Sequence, residues 1–281
     1  MPGPAHDRSA AGSTILPMPT TRAQPPHALV DPSVAAAVAV WVAYTVVTTA
    51  VQASAGVPYA DWFNTAANAW RVGVLSLLAG AVLLIGFVRV ARWNHLWRDP
   101  VRLQTTLAMK IAMVVWCAAI VVRLVGVRWS ELPAGLLAAV VASGVLVGFA
   151  EELLFRGVLL RGLRAGGRSE ARAAIWTALC FGLFHLPNVF MGMGLPGLLQ
   201  VFLAAASGSV LYAFRRHFGV IGPAMVAHGA WDISAFLAGG HAMPWTATAS
   251  LALQAVVVIL GIAILVGLYR HDRATVALPA A

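Results

Sequence analysis

The side chains of this chain that could carry acid–base chemistry are ten carboxylates and eight histidines. Most of them lie in polar connections or near the ends of apolar runs. Five lie inside long apolar runs: Glu151, Glu152, His185, His228 and Asp232. A charge at membrane depth costs at least about 2.5–3.5 kcal/mol, so ionisable residues there usually mark a functional site. These five side chains could activate a water molecule or relay protons.

A carboxylate pair precedes an arginine in the segment EELLFR at residues 151–156. Glu152 and Arg156 are four residues apart, so on a helix they share a face and can form an ion pair. Glu151 then points about 100° away and is left free for chemistry. A purely structural ion-paired strut is the simpler alternative. It accounts for Glu152, but it gives no reason for a second buried carboxylate beside it.

Two further segments place histidines in apolar runs. His185 lies in FGLFHLPN at residues 181–188, just before Pro187, which interrupts the helical hydrogen bonds. A lone membrane histidine is as often a packing residue as a catalytic one. His228 and Asp232 are four residues apart, so the carboxylate can orient the imidazole or line the same cavity. A proton relay or a structural hydrogen bond between helices is the alternative for this pair.

Taken together, these residues predict hydrolysis of an amide bond. A desolvated glutamate can take a proton from water, and a histidine can hold that water or share the proton. A second histidine, with a neighbouring carboxyl group, could donate hydrogen bonds to the oxyanion that forms when water attacks a carbonyl. Peptide-bond hydrolysis within a membrane is the function that this set of residues favours.

The composition indicates what must position these residues. Apolar residues make up 60% of the 281 and charged residues 10%, with a mean hydropathy of +0.82, whereas soluble domains carry about 25% charged residues. A water-soluble enzyme is excluded. The net charge of +9 comes from arginines in small clusters between apolar runs, a membrane pattern that excludes nucleic acid as a partner. Cys117 and Cys180 lie inside apolar runs, so neither a disulfide framework nor a thiolate metal site is expected.

The apolar runs predict an all-α fold, a polytopic transmembrane helical bundle with about eight spans and with lipid as its solvent. In the third run, Lys110 and Arg123 shorten the uncharged core. A re-entrant segment is therefore an alternative to a full span at this run. The expected spans are 34–54, 71–91, 105–125, 133–155, 173–190, 196–214, 218–238 and 248–269.

Three regions follow from this pattern. Residues 1–33 are rich in proline and lack an apolar period, so they predict a disordered cytoplasmic tail. Residues 34–273 form the transmembrane domain, with the catalytic four-helix core at 133–238. Residues 274–281 are a short C-terminal tail.

The distribution of arginines predicts the orientation in the membrane. Fifteen of the eighteen arginines fall in the termini and alternate connections, and the other three are Arg71, Arg123 and Arg128. Because positively charged connections stay on the cytoplasmic side, both termini should be cytoplasmic. The preference for arginine over lysine indicates a GC-rich genome and therefore a prokaryotic plasma membrane.

Three motifs resemble those of the CPBP family of intramembrane proteases. This family includes the type II CAAX prenyl endopeptidases and bacterial relatives linked to bacteriocin processing, self-immunity and abortive infection. The motifs are EExxxR at 151–156, FxxxH at 181–185 and HxxxD at 228–232, and the resemblance covers about 133–238. Each motif is short, but the three in this order in apolar runs are specific.

The resemblance implies a role for each site residue. Glu151, with His185, would activate the attacking water, while His228 and Asp232 would stabilise the oxyanion. Glu152 and Arg156 match the family's second acidic residue and arginine and would support the site. The prenyl endopeptidases carry asparagine where this chain has Asp232. An ionised aspartate would repel an oxyanion, so Asp232 must be protonated, orient His228 or bind a metal.

The family is commonly labelled a metalloprotease family, and two histidines with a carboxylate could hold a divalent metal such as zinc with one open position. His185, His228 and Asp232 are the candidate ligands, although the same residues suffice for the metal-free mechanism, which is modestly favoured. The resemblance implies a membrane-associated peptide or protein as the substrate.

Two other classes of function stay open on the sequence. In a proton-coupled transporter, the five buried titratable residues would form a proton relay, although no internal repeat supports this. In a non-catalytic membrane scaffold or immunity protein, small residues such as Gly144 and Gly148 would serve only helix packing.

Overall fold

The computed structural model describes residues 29–277 of the chain. Residues 1–28 of the expected N-terminal tail, and residues 278–281 of the expected C-terminal tail, lie outside this part. The fold is 81% helical, and residues 29–277 form no strand. The predicted all-α fold is therefore confirmed.

Between residues 29 and 277, eight long helical elements follow one another. Six of them are long and apolar enough to cross a membrane: α1, α2, α3, α4, α6 and α8. The 15 residues of α5 span only about 22 Å, and α7 carries three ionisable residues, His228, Asp232 and His241. The expected count of about eight spans is not confirmed, although each expected span overlaps a helix. The elements are α1 Val34–Ser54, α2 Ala66–Ala91, α3 Leu107–Val125, α4 Ala134–Ala165, α5 Glu170–Phe184, α6 Pro196–Phe218, α7 Gly222–His241 and α8 Pro244–Ala277.

Short polar side chains begin several of these helices. Ser33, Thr106 and Ser169 accept hydrogen bonds from backbone N–H groups in the first turns of α1, α3 and α5. These contacts satisfy donors that have no partner inside the helix. At the end of α6, Gly219 adopts a φ of 71°, a left-handed conformation that glycine takes without steric cost. The local sequence thus accounts for where these helices begin and end.

The connections meet at two ends of the bundle. At one end, which we call the arginine end, Asp99 forms ion pairs with Arg164 and Arg215, each at 2.7 Å. The backbone N–H of Asp99 also donates to the carbonyl of Gly219. Further contacts at this end join residues 30 and 93, 94 and 161, 97 and 221, and 172 and 272.

The opposite end of the bundle joins the remaining connections. Arg128 N–H donates to the carbonyl of His241 at 2.7 Å, and Val127 forms an isolated bridge with Ala242. The connection between α1 and α2 meets the start of α6 through a bond between Tyr59 and Gln200. Every second connection along the sequence is rich in arginine, and these connections lie together at the arginine end of the bundle.

Three glycines bring α4 and α7 into close contact. A Cβ atom on Gly229 of α7 would lie 2.6 Å from the carbonyl oxygen of Gly144, and one on Gly148 would overlap the carbonyl of Met225. Only glycine fits at such a close approach of two backbones. The contact lies just before the acidic pair on α4 and beside His228 on α7.

Candidate active site

Glu152 is the centre of a fully buried polar cluster. Its side chain is 0% exposed, and its Oε1 atom accepts hydrogen bonds from Arg156 Nη1 at 2.8 Å and His228 Nδ1 at 2.9 Å. Arg156 Nη2 donates to the carbonyl of Gly208 on α6 at 2.6 Å. The ion pair between Glu152 and Arg156 thus forms as their spacing predicts. The additional bond to His228 is not visible in any spacing, because 76 residues separate the two.

This cluster fixes the orientation of His228. Since a carboxylate can only accept hydrogen bonds, the Nδ1 atom bonded to Glu152 carries a proton. The other ring nitrogen, Nε2, lies 4.0 Å from Glu151 Oε2 and 3.9 Å from Asp232 Oδ2. Both distances are too long for direct hydrogen bonds, but they suit an atom that bridges the two groups.

The arrangement around Glu151, Glu152 and Arg156 depends on a local change in α4. Residues Leu153–Leu159 form a π-helical segment that begins directly after Glu152 and contains Arg156. Such segments are rare and often occur at functional sites, because the extra residue per turn redirects the following side chains. No sequence pattern used above indicates this segment.

Phe181 connects the three motifs in space. Its ring centroid lies 5.2 Å from the ring of His185 and 5.4 Å from that of His228, in edge-to-face contacts. On the same ring, the guanidinium carbon of Arg156 lies 4.7 Å from the centroid. The phenylalanine of FxxxH therefore packs both histidines and the buried arginine into one unit.

His185 is held by a bond to its own helix. Its Nδ1 atom lies 2.9 Å from the carbonyl oxygen of Phe181, four residues earlier. A carbonyl oxygen only accepts, so Nδ1 carries the proton and Nε2 keeps its lone pair. α5 ends at Phe184, which places this imidazole at the end of a short helix inside the bundle.

A cavity of about 140 Å³ brings the expected catalytic residues together. Glu151, His185 and Asp232 line it, whereas His228 lies behind them and is 4% exposed. The volume holds several water molecules, each of which occupies about 30 Å³ in the liquid. The largest apolar residues of the lining are Trp62, Phe63, Leu77, Phe184 and Phe236.

Three cavity residues were not expected from the motifs. Asn188 Nδ2 donates to Gln200 Oε1 at 2.8 Å, and Gln200 Nε2 donates to the hydroxyl of Tyr59 at 2.9 Å. All three side chains line the same cavity as the catalytic candidates. Gln200, a lone amide in the apolar run at the start of α6, is the one signal that the sequence offers for this network.

A buried arginine also lies close to the site. Arg123 is 6% exposed, and its guanidinium carbon lies 3.9 Å above the ring centroid of Trp231, the residue before Asp232. Its Nη2 donates to Gln254 Oε1 at 3.2 Å. Arg123, which shortens the uncharged core of the third apolar run, is therefore buried against Trp231 next to the site.

The described residues contain no preformed cluster of ligands for the zinc ion considered from the sequence. Between residues 29 and 277, no group of three or more His, Cys, Asp or Glu side chains is arranged to hold a metal ion. The hydrogen bonds at Nδ1 leave Nε2 of His185 and His228 available as ligands, and Asp232 Oδ2 lies 3.9 Å from Nε2 of His228. No step of the chemistry below is assigned to a metal.

Residues 133–234 match the family model described as Type II CAAX prenyl endopeptidase Rce1-like. This segment is similar to an Rce1-like domain. The match contains all six site residues expected from the three motifs, and it supports the CPBP family of membrane proteases. No curated protein and no solved structure shows significant similarity to the chain. The match supports an endopeptidase activity for this segment. It does not distinguish a glutamate-type from a metal-dependent mechanism.

Proposed function

We propose that this protein is an intramembrane endopeptidase that hydrolyses a peptide bond with a water molecule activated by Glu151 and His185. The observation that carries the proposal is the convergence of Glu151 and Asp232 on His228 Nε2, at about 4 Å, beside a cavity. These separations leave room for a water molecule or a carbonyl oxygen between the groups.

The chemistry needs one proton to move twice. Glu151 takes a proton from water while the free Nε2 of His185 holds that water, and the hydroxide adds to the carbonyl carbon. The carbonyl oxygen becomes an oxyanion. Glu151 then gives the proton to the nitrogen of the leaving amine as the carbon–nitrogen bond breaks. The products are a carboxylic acid and an amine, so water and peptide bond are balanced.

The oxyanion is stabilised by His228 and Asp232 in this proposal. Glu152 holds a proton on Nδ1 of His228 and favours the imidazolium, whose second N–H at Nε2 points to the space between Glu151 and Asp232. Asp232 acts in its protonated form and donates the second hydrogen bond, as the family's asparagine amide would. Arg156 neutralises Glu152, and both side chains are at most 1% exposed.

The arginine end is the cytoplasmic end in this proposal, and both termini belong to it. Its support is the gathering of the arginine-rich connections at one end of the bundle, because positively charged connections resist translocation. The host membrane is proposed to be a prokaryotic plasma membrane. The substrate is a membrane-associated peptide or protein, in line with the Rce1-like domain.

The test uses purified full-length protein in liposomes and a panel of internally quenched peptides, with and without a prenylated cysteine. We expect cleavage by the wild type and a loss of about 100- to 10,000-fold in Glu151→Gln, the range for a lost general base. Glu131→Gln is the matched control, since this glutamate lies in a surface connection and is 52% exposed. Its turnover should equal that of the wild type.

Two arms separate this mechanism from the alternatives. A strong chelator, with zinc added back, should leave the rate unchanged. Chelator inhibition that zinc reverses would replace the metal-free mechanism. Full turnover by Glu151→Gln would exclude Glu151 as the base, and Glu151-dependent proton flux without any cleavage would favour the transporter instead.

A further inference from the structure

The polar chain formed by Asn188, Gln200 and Tyr59 has no part in the hydrolytic steps above. These residues come from three different elements: the connection after α5, the first turns of α6 and the connection between α1 and α2. Their two hydrogen bonds, at 2.8 and 2.9 Å, hold them in one row along the cavity that Glu151 and His185 also line.

The row keeps several hydrogen-bonding atoms for a ligand. After the two mutual bonds, the described residues supply no partner for the Oδ1 atom of Asn188, the second amide proton of Gln200 or the hydroxyl proton of Tyr59. Burial raises the pKa of Tyr59, so its hydroxyl stays protonated and can donate. The row thus offers at least two donors and one acceptor.

The remaining lining favours a peptide as the ligand of this row. Trp62, Phe63, Phe184 and Phe236 give the cavity apolar walls, and none of its lining residues is a lysine or an arginine. Apolar walls offer no hydrogen bonds, so a substrate group beside the row must be able to both donate and accept to satisfy the atoms of the row and its own. The main-chain amide of a peptide meets this condition, whereas a phosphate or a carboxylate would find no cation.

The row also indicates the direction of access. Tyr59 lies in the connection that follows α1, and Gln200 lies near the start of α6, so both belong to the end of the bundle opposite the arginine end. Glu151 lies about 26 Å along α4 from its start at that same end. The row therefore lies between that end of the bundle and the reacting groups.

We propose that Asn188, Gln200 and Tyr59 bind the peptide main chain beside the scissile bond, and that the peptide enters from the end opposite the arginine end. This subsite rests on the proposed endopeptidase function and adds to it the part of the substrate that is recognised. The three residues position the substrate and take no part in proton transfer.

A kinetic experiment tests the subsite on the quenched peptide that the wild type cleaves fastest. We expect Asn188→Ala and Gln200→Ala each to raise KM about 10-fold, the effect of one hydrogen bond, with kcat changed much less. Gln104→Ala is the matched control, because this exposed glutamine lies at the arginine end. A loss of kcat and of thermal stability with KM unchanged would indicate a structural brace and overturn the subsite.

Ester analogues of the peptide make the test specific for the main chain. Each analogue replaces one amide N–H near the scissile bond by oxygen. At one position the ester should lower kcat/KM of the wild type about 10-fold and have little further effect on Asn188→Ala, because the bond is already lost. Equal losses in wild type and variant at every position would contradict main-chain recognition.

Different variants test the proposed function and the proposed subsite, so one can be contradicted without the other. If Glu151→Gln keeps full turnover, the catalytic proposal fails and the KM values still report on the subsite. If Glu151→Gln is inactive but Asn188→Ala and Gln200→Ala bind the peptide as the wild type does, only the subsite fails.

A labelling experiment decides the direction of access without any substrate. Gln200→Cys is made in a chain with Cys117→Ala and Cys180→Ala, the two free thiols of the protein. An impermeant thiol reagent should modify it from the side opposite the arginine end, in parallel with Asn64→Cys and unlike Gln104→Cys. Labelling from the arginine end only, or no labelling from either side, would overturn this route.

Discussion

Replacing Glu152 by glutamine separates the supporting carboxylate from the proposed base. The change keeps the shape of the side chain but removes the charge that faces Arg156 at 2.8 Å, and both side chains are at most 1% exposed. Removing one charge of a buried ion pair lowers the free energy of unfolding by about 3–5 kcal/mol. At about 2–4 °C per kcal/mol for a chain of this size, the melting temperature should fall by about 6–20 °C.

The same change should also lower turnover for a separate reason. The carboxylate of Glu152 holds the proton on His228 Nδ1 and favours the imidazolium that donates from Nε2 to the oxyanion. A neutral amide in its place leaves His228 as a weaker donor. We expect peptide cleavage to fall by about 100- to 1,000-fold, the cost of losing one oxyanion-stabilising group, at a temperature where the variant is still folded.

Glu151→Gln, one residue earlier, is the matched comparison. The described residues donate no hydrogen bond to Glu151, which lines the cavity, so its amide variant should lose turnover and keep the wild-type melting temperature. Thermal unfolding followed by intrinsic fluorescence in detergent measures both variants. The reasoning is refuted if Glu152→Gln unfolds within about 1 °C of the wild type, or if Glu151→Gln is destabilised as much.

Four further predictions concern other parts of the structure. Asp232→Asn should keep kcat within about 10-fold, because an amide also donates, whereas Asp232→Leu should lose about 100- to 1,000-fold; both are measured by peptide cleavage. Gly148→Val should prevent folding in a thermal-shift assay, because its side chain would overlap the carbonyl of a residue on α7. Burial alone would raise the pKa of Asp99, but Arg164 and Arg215 lower it overall. The carboxylate therefore stabilises the fold above its ordinary pKa of about 3.9. The loss of melting temperature in Asp99→Asn should become smaller as the pH falls below that value. Met193→Cys should react with an impermeant thiol reagent from outside and Ala165→Cys from inside, and the reverse pattern would overturn the orientation.

The sequence predicts the composition of the site well and its contacts only in part. Apolar runs and buried charges single out six residues that lie around the cavity and in the buried cluster, but not the polar residues Tyr59, Asn188 and Gln200 of the same lining. The pair Glu152–Arg156 follows from a spacing of four, because neighbours on one helix are determined locally. The bond from His228 to Glu152 joins two helices, so no local pattern could predict it.

The same distinction applies to the bundle. The eight apolar runs each overlap a helix of the described residues, but six of these helices are long and apolar enough to span a membrane. α5 is too short, because it ends just before His185 and Pro187. α7 is less apolar, because it carries His228 and Asp232. Asn188, Gln200 and Tyr59 are ordinary polar residues in the sequence. Their row exists only because three distant segments meet beside the cavity.

By itself the sequence predicted a helical membrane protein, singled out the ionisable residues inside the apolar runs and placed most arginines in alternate connections. These properties follow from hydropathy, from charge and from spacing within a single helix. The tertiary structure decided which carboxylate orients His228, that Phe181 packs both histidines against Arg156, and which polar side chains line the cavity. Those contacts depend on how closely α4 and α7 approach at their glycines, and such a distance between separate helices is set only when the whole bundle packs.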